Sequence, residues 1–175
     1  HIDQAQLADE LRMYADRPLR IGSLSAASNV TGILSDTHAI TRLLHEHGAL
    51  AFWDFAAAAP YIDVEMNRVG GEAIERKDAI FISPHKFIGG PGTPGVLIVD
   101  RALMRNTIPH VVGGGTVSYV NTSVHRYLSN PEHREEAGTP AIIESIRAGL
   151  VFQLKEAVGV ETIQALEHDF LRRAI

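Results

Sequence analysis

Asp78-Ala79-Ile80-Phe81-Ile82-Ser83-Pro84-His85-Lys86, with Gly89-Gly90-Pro91-Gly92 close behind, is the stretch on which the fold turns. The apolar run has the length and composition of a buried strand, and Ser83-Pro84 ends it. Lys86 then stands at the carboxyl end of that strand, beside a hydroxyl, an imidazole and a flexible glycine segment. Such a place holds an amine partly out of water, where its pKa falls and it becomes a nucleophile. Read alone, a lysine after a strand is a solvated surface residue. Read with Ser83, His85 and Asp54, it carries chemistry.

The same grammar continues on both sides. Leu7, Leu11 and Tyr14 make an apolar face at helical spacing, which predicts a helix over 2–14. A strand is expected over 19–27, leading into Ser28-Asn29-Val30-Thr31-Gly32. Asp36 is a good N-cap for a second helix with the stripe Ile40, Leu43 and Leu44, and Gly48 stops it. Strands follow over 50–55, with Asp54 near its end, over 79–83 and over 95–99. Strand alternating with helix predicts an α/β fold, a mostly parallel sheet with helices on both faces. Asn29, Asp54 and Ser83 all fall at or just past carboxyl ends of strands, the edge where open α/β sheets bind ligands.

Gly113-Gly114-Gly115 opens a stretch rich in His, Asn and Ser, expected to be poorly structured through about Arg134. A loop that long is more often functional or interfacial than idle. Glu136-Ala137-Gly138-Thr139-Pro140 leads into a long helix with the stripe Ile142, Ile146, Leu150, Leu154 and Val158, ended by Gly159. A further amphipathic helix runs over 161–175.

With 175 residues, 45% of them hydrophobic, the chain can bury one real core. The net charge of −5 speaks against nucleic acid, and without cysteine there is neither disulfide nor thiolate metal site. No apolar run approaches the ~20 residues of a membrane span. A cytoplasmic location fits these absences. His45 and His47 flank Glu46 but point in different directions on a helix, so no shared metal is expected. The start at His1 and the stop inside a helical segment predict a piece of a longer protein.

From Arg20 to about Gly159 the chain resembles the class V aminotransferase family, the fold-type I pyridoxal phosphate enzymes that include cysteine desulfurases. The residues that carry the resemblance are Ser28-Asn29-Val30-Thr31-Gly32, Asp54 with its following alanines, and Ser83-Pro84-His85-Lys86. The glycine turn before Gly95-Val96-Leu97 and Glu136-Ala137-Gly138-Thr139-Pro140 complete the series.

The resemblance implies a pyridoxal 5'-phosphate-dependent enzyme acting on an amino acid. Lys86 would form the internal aldimine and shuttle the α-proton, and Asp54 would keep the pyridine nitrogen protonated. Ser83 and His85 would hold the phosphate, and Asn29 would bond near the phenolic oxygen or the substrate carboxylate. Ala56 would pack on one ring face. Thr139 would reach the phosphate of the neighbouring subunit, implying a homodimer with shared sites. Residues 1–159 would form part of the cofactor-binding large domain, and 160–175 would lead towards a further, C-terminal small domain. On its own this piece would bind cofactor weakly and turn over poorly. Where cysteine desulfurases carry a glutamine three residues after the aspartate, this chain has Ala57. Transamination, desulfuration and elimination all stay open, as does a second class: a pseudoenzyme or dimerisation module that keeps the fold without catalysis.

Overall fold

A computed structural model describes residues 2–175. Two compact units are present: one runs to Val99 and resumes over Glu144–Ile175, and the other is Asp100–Ile143.

The first unit opens with α1 (Gln4–Met13), whose first amides Ala5 and Gln6 donate to the Asp3 carboxylate at 3.0 Å. After β1 (Ile21–Ser25) comes α2 (Thr37–Glu46), capped by Asp36, whose carboxylate accepts from the Ala39 amide at 3.0 Å. Gly48, at φ +68°, turns the chain into β2 (Leu50–Asp54). Then follow β3 (Ala79–Ile82) and β4 (Val96–Val99). Strand order in the sheet is β1-β2-β3-β4, with the first two pairings parallel and the last antiparallel. The expected α/β architecture, a mostly parallel sheet with helices, is present. β4 reverses because only a short 3-10 turn and glycine turns separate it from β3, with no crossover helix to carry the chain back.

Alternation along β2 puts Ala51 and Trp53 into the core, where the Trp53 indole donates to the Thr41 hydroxyl of α2 at 2.8 Å. Gly22 lets α2 come close: a Cβ there would lie 2.6 Å from the Leu44 methyls. Asp78 ties the layers together, accepting from the Ala51 amide at 2.7 Å and contacting the His45 ring at 2.8 Å. His45 also meets the Ile74 carbonyl, and His47 the Leu43 carbonyl.

Lys77, beside Asp78, is 1% exposed. Burial holds its pKa below the ordinary 10.5, against the opposing pull of Glu65 and Glu75. Between its folded pKa and 10.5 the unfolded chain binds the extra proton, so stability rises with pH across that window. Lys77→Met is expected to raise unfolding stability at neutral pH by about 1 kcal/mol and to flatten that rise. Urea denaturation at pH 7 and pH 9 checks it, and a loss of stability would show that attraction to the carboxylates outweighs desolvation.

The long helix α4 (Ile142–Val158) forms, but the stripe at intervals of four is not its buried face. Ile142, Ile146, Leu150, Leu154 and Val158 are all exposed, whereas Ala148 and Val151 are buried. Each four-residue step overshoots a full turn by about 40°, so five such residues spread about 160° around the helix. α5 (Val160–Ala174) follows Gly159, which sits at φ +83°.

In the second unit the stretch expected to be poorly structured is ordered. It holds an antiparallel hairpin of β5 (Val117–Val120) and β6 (His125–Tyr127), followed by the short α3 (Pro131–Glu135). Asn121 shapes the turn by accepting from the Ser123 and Val124 amides at 2.8 and 2.7 Å. Thr116, fully buried, donates to the Gly113 carbonyl at 2.7 Å, and the Gly138 amide reaches the Gly114 carbonyl at 2.8 Å. The glycine triplet is thus an exposed bend tied down by these hydrogen bonds. Its hairpin escapes sequence reading because both strands are short and mostly solvent-facing, without an apolar alternation.

Candidate active site

Parallel pairing brings the carboxyl ends of β1, β2 and β3 to one edge. There Ser25 lies opposite Asp54, and Asp54 opposite Phe81. Five of the residues singled out from the sequence sit on this edge or in the turns leaving it: Asn29, Asp54, Ser83, His85 and Lys86.

Asp54 ends the central strand β2 with its carboxylate exposed, accepting from the Ala56 amide at 2.7 Å. That bond starts the turn into Phe55–Tyr61, so the carboxylate also has an ordinary structural duty in capping the turn. Ala56 and Ala57 are half-buried behind it. Asn29 is exposed at the tip of the β1 loop. Its neighbour Ser28 shapes that loop by accepting from the Val30 and Thr31 amides at 3.2 Å, with Gly32 at φ +69°.

Ser83 precedes the 3-10 turn Pro84–Lys86, and its hydroxyl makes no capping bond. Lys86 and Phe87 donate their amides to the Ser83 and Pro84 carbonyls, each at 3.0 Å. Pro84 and Phe87 are buried, and His85 and Lys86 exposed. The expectation of an amine drawn partly out of water is therefore corrected: the tight turn lifts Lys86 past the end of β3, and the neighbouring Phe87 takes the inward position. Lys86 lines a cavity of about 120 Å³ with Tyr61, Phe87, Ile88, Leu154 and Lys155.

Gly90 fixes this turn, a role that composition alone does not reveal. It is buried, and a Cβ on it would lie 1.9 Å from the Pro84 carbonyl oxygen. Thr93, also buried, donates its hydroxyl to the Gly90 carbonyl at 2.7 Å, and Arg147 of α4 reaches the Pro91 carbonyl. Thr139 belongs to the second unit, exposed between Gly138 at φ +85° and Pro140.

At the edge, an amine, a hydroxyl and an imidazole on one arm face the chemistry of an aldehyde and an anion, while a carboxylate one strand away suits a protonated ring nitrogen. This donor set fits pyridoxal phosphate. A mostly parallel α/β sheet with such an edge places the chain in the open-sheet class, in which ligands characteristically bind at the carboxyl ends of the strands. Comparison with known proteins narrows that class. The family model for aminotransferase class-V matches residues 2–175, and the chain belongs to that family.

A probable cysteine desulfurase of Aeropyrum pernix is 32% identical over 164 residues, 92% of this chain and 38% of the relative. An apo cysteine desulfurase from Thermococcus onnurineus has the same fold, with TM-score 0.81 over 99% of this chain and 40% of that one, at 23% identity. A cysteine desulfurase from Escherichia coli in an S-sulfonic acid form matches with TM-score 0.70 and 26% identity, over 82% of this chain and 34% of that one. The chain thus spans well under half the length of the relatives it matches. Among the described residues, no helix is long and apolar enough to cross a membrane.

Proposed function

We propose that this chain is the cofactor-binding part of a pyridoxal phosphate-dependent enzyme acting on an amino acid, with Lys86 as the amine that bonds the cofactor. The observation that carries this reading is the sheet edge, where Lys86, Ser83 and His85 leave β3 next to Asp54 at the end of β2. The family match over residues 2–175 supports it. When bound, the cofactor supplies an electron sink for electrons released at the substrate α-carbon.

The remaining chemistry belongs to the chain. Lys86 would hold the cofactor through Nζ, and once the substrate amine displaces it from that bond the freed Nζ would move the α-proton. Asp54 keeps the ring nitrogen protonated through a charge-assisted hydrogen bond. Ser83 and His85 bind the phosphate, Asn29 orients the phenolic oxygen or the substrate carboxylate, and Ala56 leaves room for the ring. Thr139 completes the site of a neighbouring subunit in a homodimer. Residues 1–159 serve as large-domain sheet and helices, with 160–175 leading onward to a small domain, and the enzyme works in the cytoplasm.

Ala57 and the exposure of Lys86 favour a second reading, a dimerisation module that keeps the fold without catalysis. Incubation of the full-length protein with pyridoxal phosphate, borohydride reduction and peptide mass mapping separates the two. A pyridoxyl group on Lys86 alone is the expected result. No label anywhere would sink the enzyme reading and leave the module.

A further inference from the structure

Lys155 stands on the buried side of α4, about two helical turns beyond Arg147, and one side chain there touches both arms of the candidate site. Its ammonium donates to the carbonyl oxygen of Ile62, in the segment that descends from Asp54. The same ammonium lies 5.9 Å from the ring centroid of Phe87, the residue after Lys86. Phe87 is gripped from α4 a second time, edge-on to Phe152 with ring centroids 5.3 Å apart. Lys155 and Phe87 together line two apolar spaces, one of about 260 Å³ with Val64, Met66, Ile82 and Ile98, and the 120 Å³ cavity that Lys86 also lines.

A cation set among apolar side chains costs stability unless it is held by specific partners. Burial lowers the Lys155 pKa, with Asp63 opposing. The partners it has are a carbonyl on one arm and an aromatic ring on the other; a neutral methionine of similar length cannot donate to the carbonyl and brings no cation to the ring.

We propose that Lys155 is a positioning residue that fixes the Lys86 turn relative to the Asp54 arm by bridging Phe87 and Ile62. The proposal rests on Lys86 being the cofactor amine for its chemical consequence, though not for its structural one. Lys155 sets where the 3-10 turn sits. An arginine at 155 retains both the donor and the cation over the ring, and methionine retains neither.

The test compares full-length wild type, Lys155→Met and Lys155→Arg by two measurements. Hydrogen exchange without cofactor follows the amides of Lys86, Phe87 and Gly90, which close the turn onto Ser83, Pro84 and Phe87. Lys155→Met is expected to speed exchange at these amides about tenfold while Ala51 and Trp53 in β2 stay protected, and Lys155→Arg to restore it. The rate of borohydride-trapped pyridoxyl labelling at Lys86 is expected to fall in the methionine variant and recover in the arginine variant. Unchanged exchange at the turn, or acceleration spread equally through β2, would overturn the proposal. Changed exchange with no label on Lys86 in wild type would keep the bridge and discard the cofactor reading instead.

Discussion

On the proposed reading, Lys86→Ala is expected to lower amino-acid turnover by the full-length protein by about 10²–10⁴-fold or more, because it would remove both the bonding amine and the proton carrier. The fold should scarcely notice. Lys86 is exposed, and its backbone contribution to the turn, the amide donated to Ser83 at 3.0 Å, survives in alanine. Exposed substitutions away from special features usually stay within about 0.5 kcal/mol, so unfolding should be nearly superimposable on wild type. The pairing of a lost activity with an intact fold is the diagnostic outcome. Turnover and chemical denaturation measured side by side decide it, and retained turnover in Lys86→Ala would remove the residue from the mechanism. Asp54 does not offer so clean a separation, since its carboxylate also accepts the Ala56 amide at 2.7 Å and shapes the turn after β2.

Gly90→Ala should do the reverse, damaging the fold first and the chemistry through it. The added methyl would meet the Pro84 carbonyl oxygen at 1.9 Å, the Pro84 carbonyl carbon at 2.9 Å and the Phe87 carbonyl oxygen at 3.0 Å. All three are backbone atoms of the turn that presents Lys86, so no side-chain rotation relieves the clash. To make room, the chain must open the bonds from Phe87 to Pro84 and from Gly90 to Phe87, each at 3.0 Å. A loss of about 3 kcal/mol or more, at or beyond the top of the usual overpacking range, is expected.

The neighbouring Gly89→Ala isolates the cause. Gly89 sits at φ +80°, and a Cβ there would meet only a Val151 methyl at 3.8 Å, so its penalty is conformational, about 1–2 kcal/mol. Urea midpoints should therefore rank wild type above Gly89→Ala, and Gly89→Ala above Gly90→Ala. A Gly90→Ala protein as stable as wild type would show that the turn can move freely, and the steric account of Lys86 placement would fail.

Much of this was legible in the residues because it depends on local signals. Asp36 and Gly48 bracket α2 through a side-chain acceptor and a left-handed backbone, both properties of single residues. The apolar runs ending at Asp54 and Ile82 mark strands by composition. Once two such strands are parallel neighbours, their carboxyl ends share an edge, and Asn29, Asp54, Ser83 and Lys86 gather there. The family motifs supplied the chemical meaning of that edge, and the family match bears out the kinship.

What escaped reading depends on partners distant in sequence. Burial on α4 is set by Ala148 and Val151 rather than by the exposed Ile146, Leu150 and Leu154, because which stripe faces inward depends on what the helix packs against. The β5–β6 hairpin has too little apolar alternation to announce itself, and Lys77 is buried in a segment whose own composition reads as solvated.

By itself the sequence determined the α/β class and the bounds of α2, since each follows from residue type and short-range spacing, and its motifs carried the resemblance to the family. Only the tertiary structure decided that β4 runs antiparallel, that Lys86 faces solvent while Phe87 faces the core, that Gly90 admits no side chain and that Lys155 spans both arms. Those depend on which atoms come within a few ångströms of each other after the chain has folded back on itself. Closing such loops is governed by the packing of the whole core rather than by any local preference.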